Sequence, residues 1–182
     1  AYVTAGKTSG FFPLPPQQTG KVLLLAGEDD PGKVLKARLL AAGADMNRVL
    51  VLTGIEIASY GVDLPGKPDL ADVVCAIADA APHMRLRLGS IEPSVITEDF
   101  CKKIAACGSV CRHFHLSLQS GCDATLKAMN RKYDTARFME SCELLRKYFD
   151  DPAITTDLIT GFPEETEEEF AQTLDFIARV GF

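Results

Sequence analysis

Two stretches of this chain put hydrogen-bonding side chains where strand–helix proteins do chemistry. His113–Tyr133 reads HFHLSLQSGCDATLKAMNRKY and Asp157–Thr166 reads DLITGFPEET. Each begins as a β-like run and passes directly into polar residues and glycine, and in a strand–helix repeat the carboxyl ends of the strands face the ligand. His113 and His115 alternate, so they share one face of their strand. With no third ligand at metal spacing, they read as core or hydrogen-bonding histidines. Cys101, Cys107 and Cys111 lack the CxxC spacing of a structural metal site and read as buried or half-buried thiols.

The rest of the chain supplies elements able to carry such a site. Lys21–Ala26 and Arg48–Leu52 are apolar strand runs. The helix between them has Asp30 as candidate N-cap, Pro31 at its first position and Gly43 as its stop. Asp69 begins a helix to about Ala81, Met84–Leu88 is a strand, and Thr97 caps a helix to about Cys107. His113–Leu118 is followed by a short helix from Asp123 and a longer one from Thr135 to Tyr148. Ile154–Ile159 is the last strand. Thr166 and Glu169 form a capping box for a helix to Arg179. This alternation predicts an α/β fold with parallel strands and outer helices, a partial (βα) barrel with five of the eight units of a closed one. A doubly wound sheet is the alternative.

Composition narrows the function. Of 182 residues 47% are hydrophobic and 24% charged, as in ordinary globular proteins. A net charge of −6 gives the whole chain no electrostatic attraction for nucleic acid, so RNA contact would be local, around Lys127, Arg131 and Lys132. No apolar run is long enough for a membrane span and no signal-peptide pattern opens the chain, so no membrane partner and a cytoplasmic location are expected, with six reduced cysteines. Gly6-Lys7-Thr8 resembles the end of a P-loop, but Ala1 stands where the motif needs Gly and a Pro-rich segment follows in place of a helix.

The organisation expected is an extended Pro-rich leader over residues 1–20, a βα unit over 21–50 and a partial barrel over 51–182. Residues 20–51 resemble a segment of RecA-like ATPases of the plasmid replication helicase type, in which Glu28 would polarise water and Asp29-Asp30-Pro31 would start a helix. The competing reading makes Glu28, Asp29 and Asp30 a solvated acidic turn at a helix N-terminus.

From Val51 onward, VLTGIEIASYGVDL, RLRLGSIEP, HFHLSLQSGCDATLKAMNRKY and TTDLITGFPEETEEEF resemble, in order and spacing, the radical S-adenosylmethionine methylthiotransferases, most nearly their threonylcarbamoyladenosine tRNA branch. The resemblance implies S-adenosylmethionine and a 4Fe–4S cluster as cofactors and tRNA as partner. It implies that Thr53 and Gly54 meet the methionine amino group, Ser90 and Glu92 the ribose hydroxyls, and Arg131 the methionine carboxylate, which a guanidinium fork matches. Gln119 and Ser120 would end the fourth strand at the ligand, and Asp157 and Gly161 would shape the adenine end. The family's CxxxCxxC loop is missing and Ala1–Leu50 contains no cysteine, so a chain inactive by itself is expected. The family's two flanking domains, one of them RNA-binding, do not fall within these residues, so specific tRNA binding is not expected of them alone. Glu164 replaces the glycine usual in GFPGE. The alternatives are an ATPase module or a non-catalytic nucleoside-binding remnant.

Overall fold

The computed structural model describes residues 22–26, 36–41, 43, 49–53 and 57–182. The leader over 1–20, the Gly6-Lys7-Thr8 motif, the Glu28–Pro31 turn and Gly54 lie outside the described residues. The chain divides into two compact units, residues 1–89 with 106–111, and residues 90–105 with 112–182.

In the first unit, β1 (Val22–Ala26) lies between β2 (Val49–Thr53) and β3 (Arg85–Arg87), all parallel. The run VLLLA is continuously apolar, the composition usual in a parallel strand. Helix α1 covers Lys36–Ala41, and Gly43 after it adopts φ +73, the left-handed conformation expected of the glycine stop. Helix α2 (Leu70–Ala80) opens on a capping box between Asp69 and Asp72, and buries Leu70, Ala71, Val74 and Ala78. That spacing is a single helical stripe. Ser109–Cys111 continues the sheet beside β3, with Leu86 N–H donating to the Ser109 carbonyl at 2.9 Å and Cys111 N–H to the Leu86 carbonyl at 2.7 Å.

The second unit holds β4 (Ser90–Ile91), β5 (His113–Leu116) and β6 (Ala153–Thr155), parallel and in sequential order. Sequential order is what a barrel wall needs, whereas the β2-β1-β3 order of the first sheet is the pattern of a doubly wound sheet. Helix α3 (Glu98–Ala106) is capped by Thr97, whose hydroxyl accepts from Phe100 N–H at 3.1 Å. Helix α4 covers Asp123–Ala128, α5 Thr135–Tyr148 and α6 Glu167–Val180. Thr166 and Glu169 form the expected capping box, Glu167–Glu169 face the positive end of the helix dipole, and Gly181 closes the helix at φ +65.

The second core collects Ile91, Phe114, Leu116, Leu118 and Ile154 from the sheet with Phe100, Ile104, Phe138, Leu145, Phe176 and Val180 from the helices, all buried. Phe114 meets Phe149 at 4.7 Å between ring centroids and Phe138 meets Phe176 at 6.0 Å. Each such ring contributes about 1.5–3 kcal/mol by burial. Arg137 ties α5 to the 3-10 turn Pro93–Val95, donating to the Ile96 carbonyl at 2.7 Å.

Two strand expectations change. Met84–Leu88 is realised as β3 alone, with Leu88-Gly89 separating it from β4. The Ile154–Ile159 run is regular only over Ala153–Thr155, because Thr156 turns its hydroxyl into the ladder: it accepts from Leu118 N–H at 3.0 Å and donates to the Leu116 carbonyl at 2.7 Å. Side-chain bonding of this kind competes with strand pairing. Pairing returns beyond it at Gln119↔Leu158. Among the described residues no helix is long and apolar enough to cross a membrane.

Candidate functional site

The second sheet has two chemically opposite faces. Along β5 burial alternates, with Phe114, Leu116 and Leu118 buried and His113, His115 and Ser117 half-buried. Parallel register carries that polar face to both neighbours, since Ser90 pairs with His115 and His115 with Thr155. Paired residues in a parallel ladder share a face, so Ser90, His115 and Thr155 form a polar row across three strands. A fully covered parallel sheet would be apolar on both sides, so the polar row marks the side that meets water or ligand.

The row is tied together by hydrogen bonds. Thr155 Oγ1 lies 3.0 Å from His115 Nδ1 and 3.2 Å from His113 Nε2. On its other nitrogen, His115 Nε2 is 3.5 Å from Asp157 Oδ2, with the His115 side chain 22% exposed and that of Asp157 71% exposed. Asp157 is one strand repeat beyond Thr155, which brings its carboxylate to the C-terminal end of the same face.

The end of β5 is irregular. His115 pairs with Thr155 but Gln119 bridges to Leu158, so β5 carries one more residue than β6 over this interval, the mark of a bulge. Gln119 itself is left-handed at φ +69, which costs a non-glycine residue about 1–2 kcal/mol. Two backbone hydrogen bonds hold it there: Gln119 N–H donates to the Asp157 carbonyl at 3.2 Å and Ile159 N–H to the Gln119 carbonyl at 2.9 Å.

Arg131 follows the short helix α4, with its own N–H donating to the Leu126 carbonyl at 2.9 Å. Its Nε is buried with no hydrogen-bond partner, although a buried guanidinium donor ordinarily finds an acceptor. Tyr133 is its neighbour. Burial pushes the Tyr133 phenol up, while the Arg131 guanidinium pulls it down and Glu92 pushes it up. The Tyr133 hydroxyl donates to the Leu118 carbonyl at 3.4 Å, one residue before Gln119. Glu92 is half-buried ahead of the 3-10 turn and accepts from the Ser94 hydroxyl at 3.3 Å.

The structure thus places Ser90, Glu92, Gln119 and Asp157 on or at the ends of β4–β6, and Arg131 after α4. Ser120 is placed differently: it is fully buried, its Oγ 3.1 Å from Thr173 Oγ1 on α6, and it accepts from Cys122 N–H at 3.2 Å. Its hydroxyl holds the turn to the helix layer. Gly161 is exposed at φ +70, its N–H donating to Glu165 Oε2 at 2.6 Å. Thr53 ends β2 in the first unit. His115, Thr155, Thr156 and Tyr133 complete the arrangement and were absent from the sequence-based set. The His113/His115 alternation was the one signal pointing to them, and only pairing with β6 gives it a partner.

The six cysteines are dispersed. Cys101, Cys122 and Cys142 are buried, and burial pushes the thiols of Cys101 and Cys142 up to about 11 each. Cys111 Sγ accepts from Arg85 Nε at 2.8 Å, and Cys75 and Cys107 face each other. Among the described residues no three of His, Cys, Asp or Glu converge as for a metal ion. On the helix side of the second unit, an open groove of about 810 Å³ runs between α4 and α6 past Asp123, Glu169, Asp175 and Arg179.

Comparison with known proteins bears on this geometry. The profile of the Radical SAM superfamily matches residues 26–177, and so takes in most of the segment that resembles an ATPase. The tRNA-2-methylthio-N(6)-dimethylallyladenosine synthase of Carboxydothermus hydrogenoformans is 37% identical over 139 residues, which are 76% of this chain and 32% of that protein. The threonylcarbamoyladenosine tRNA methylthiotransferase MtaB of Rickettsia prowazekii is 37% identical over 129 residues, 70% of this chain and 31% of that protein. The chain therefore spans about a third of the length of the curated relatives it matches. Among solved structures, coproporphyrinogen III oxidase (HemN) from Escherichia coli, described as a radical SAM enzyme, superposes with a TM-score of 0.54 at 14% identity, covering 88% of this chain and 41% of that one. That likeness is one of fold, an incomplete α/β barrel with parallel strands.

Proposed function

The chain belongs to the radical SAM superfamily, and on that footing we propose that its second unit binds S-adenosylmethionine along the polar face of β4–β6, as part of an enzyme that methylthiolates a tRNA adenosine. The carrying observation is the buried Arg131 Nε without a partner, in the same unit as a row of hydroxyl, imidazole and carboxylate groups at strand ends. A guanidinium donor left unsatisfied costs stability, and a ligand carboxylate removes that cost.

The residues fit the nucleoside and amino-acid parts of that ligand. Arg131 holds the methionine carboxylate, Ser90 and Glu92 take ribose hydroxyls, and Asp157, oriented by His115, accepts from the adenine end with Gly161 shaping the turn. Gln119 presents its amide from the bulged strand end. S-adenosylmethionine supplies a sulfonium whose carbon–sulfur bond is the reactive one. The thiols do not fit a 4Fe–4S cluster: three thiolates must converge on one cluster, whereas these cysteines are dispersed. The chain by itself is therefore a binding module without the reductive step.

The named relatives support a tRNA substrate for the enzyme of which this chain is part, and with it a cytoplasmic location. The finer reading is N6-threonylcarbamoyladenosine beside the anticodon. Relatives acting on dimethylallyladenosine are equally identical, so the two substrate tRNAs need direct comparison.

Calorimetric titration of the chain with S-adenosylmethionine and, separately, with ATP tests the reading. Saturable S-adenosylmethionine binding that weakens at least tenfold in Arg131→Ala supports it. Saturation by ATP alone overturns it in favour of an ATPase module.

A further inference from the structure

Cys75 lies on α2, and Cys107 lies just after α3, in the short segment that the first unit shares with β3. Their Sγ atoms are 2.8 Å apart across 32 residues of chain. A disulfide bond is about 2.05 Å long, so closure needs less than an ångström of sulfur movement. Both side chains are half-buried, which leaves a small oxidant access to them.

We propose that Cys75 and Cys107 are an oxidation site, a dithiol that closes to a disulfide under peroxide and so fastens α2 to the segment Cys107–Cys111 beside β3. No metal and no bound cofactor enters this proposal, and it does not depend on S-adenosylmethionine binding.

The chemistry has an order. Burial foremost, then the hydrogen bond with Cys107 and the carboxylates of Asp79 and Asp72, push the Cys75 thiol up to about 12. Cys75 therefore stays protonated, and either sulfur can donate in the 2.8 Å contact; we assign Cys107 as the attacking sulfur because the raised Cys75 thiol is the poorer nucleophile. Cys107 attacks one peroxide oxygen, the O–O bond breaks, and a sulfenic acid and one water form. The Cys75 sulfur then displaces the sulfenic oxygen, which leaves as a second water carrying the Cys75 proton. Two thiols lose two electrons and two protons, and one peroxide is reduced to two waters.

The closed ring is long, and cross-linking a long loop removes more freedom from the unfolded chain. Oxidation should therefore raise the thermal midpoint of the first unit. The neighbouring thiol, Cys111, is engaged by Arg85 Nε at 2.8 Å, and so is the natural competitor in any mapping.

The test uses the full chain with hydrogen peroxide, followed by intact mass and non-reducing peptide mapping. Loss of two hydrogens, a Cys75–Cys107 linked peptide forming at least tenfold faster than any other link, and reversal by dithiothreitol are expected. Cys75→Ser should instead keep oxygen added at Cys107 with no link, and Cys107→Ser should slow oxidation at Cys75. Links that involve Cys111 or scatter over the buried cysteines overturn the proposal. So does wild-type protein that accumulates oxygen at Cys107 without losing hydrogens. Circular dichroism of both serine variants separates a failed fold from a failed reaction.

Discussion

The carboxylate of Asp157 stands 3.5 Å from Nε2 of His115, while Nδ1 of the same ring is 3.0 Å from the Thr155 hydroxyl. One imidazole is thus held between Thr155, the last residue of β6, and Asp157 two positions beyond it, and it orients a carboxylate whose side chain is 71% exposed. An exposed ion pair contributes about 0–1 kcal/mol. Asp157→Ala should therefore leave the urea midpoint nearly unchanged and weaken S-adenosylmethionine at least fivefold by calorimetry. A large loss of stability with intact affinity would recast Asp157 as structural.

Gln119 and Glu164 share an unusual backbone, with φ +69 and φ +70. Glycine removes the left-handed penalty of about 1–2 kcal/mol but adds about 0.4–1 kcal/mol of unfolded-state entropy. Both Gln119→Gly and Glu164→Gly should gain up to about 1 kcal/mol in denaturant titrations. They part company in binding, where only the Gln119 variant should lose affinity. Equal affinity in both would remove Gln119 from the site.

Thr173 on α6 is the buried anchor of the turn after β5. Its hydroxyl faces the Ser120 hydroxyl at 3.1 Å, accepts from Gly121 N–H at 3.1 Å and donates to the Glu169 carbonyl at 3.2 Å. Thr173→Val keeps the shape but leaves the buried Gly121 N–H without its acceptor and Ser120 with only its bond from Cys122 N–H, for a loss of about 1–3 kcal/mol. Gly121→Ala should cost about 1–3 kcal/mol by overpacking, because a Cβ there would sit 2.8 Å from Thr173 Cα and from Phe176 Cβ. Chemical denaturation of both variants measures these losses, and a neutral Gly121→Ala would contradict the close approach.

Glu98, at the start of α3, accepts from the Tyr148 hydroxyl and from Lys147 Nζ at 3.1 Å. Chiefly the Tyr148 bond, then Lys147 and Lys102, hold its carboxyl down at about 2. The folded value lies below the unfolded one, so its stabilisation is present above about pH 4.5 and is lost as pH falls toward about 2. The group is fully exposed, so solvent screening keeps the effect small. Thermal midpoints of Glu98→Gln and wild type should converge at the bottom of that window and separate above it. Parallel curves throughout would mean the three side chains do not interact in solution.

Much of the fold was legible because local rules decide it. Asp69, Thr97 and Thr166 cap helices in the structure as their side chains and spacing predict, since a cap needs only its own first turn. Apolar runs marked the strands for the same reason. The Ile154–Ile159 run misled because Thr156 bonds across to β5, a partner almost forty positions away.

Sequence alone determined the family, the alternation of strands and helices, and the identity of the polar residues that end β4, β5 and β6. Those are properties of composition and order along one chain. Tertiary structure decided what order cannot carry: that His115 meets Asp157, that Ser120 turns inward to Thr173, that Arg131 Nε is buried without an acceptor, and that Cys75 reaches Cys107. Each joins residues from separate elements, and the register and packing that bring them together exist only once the sheet has formed.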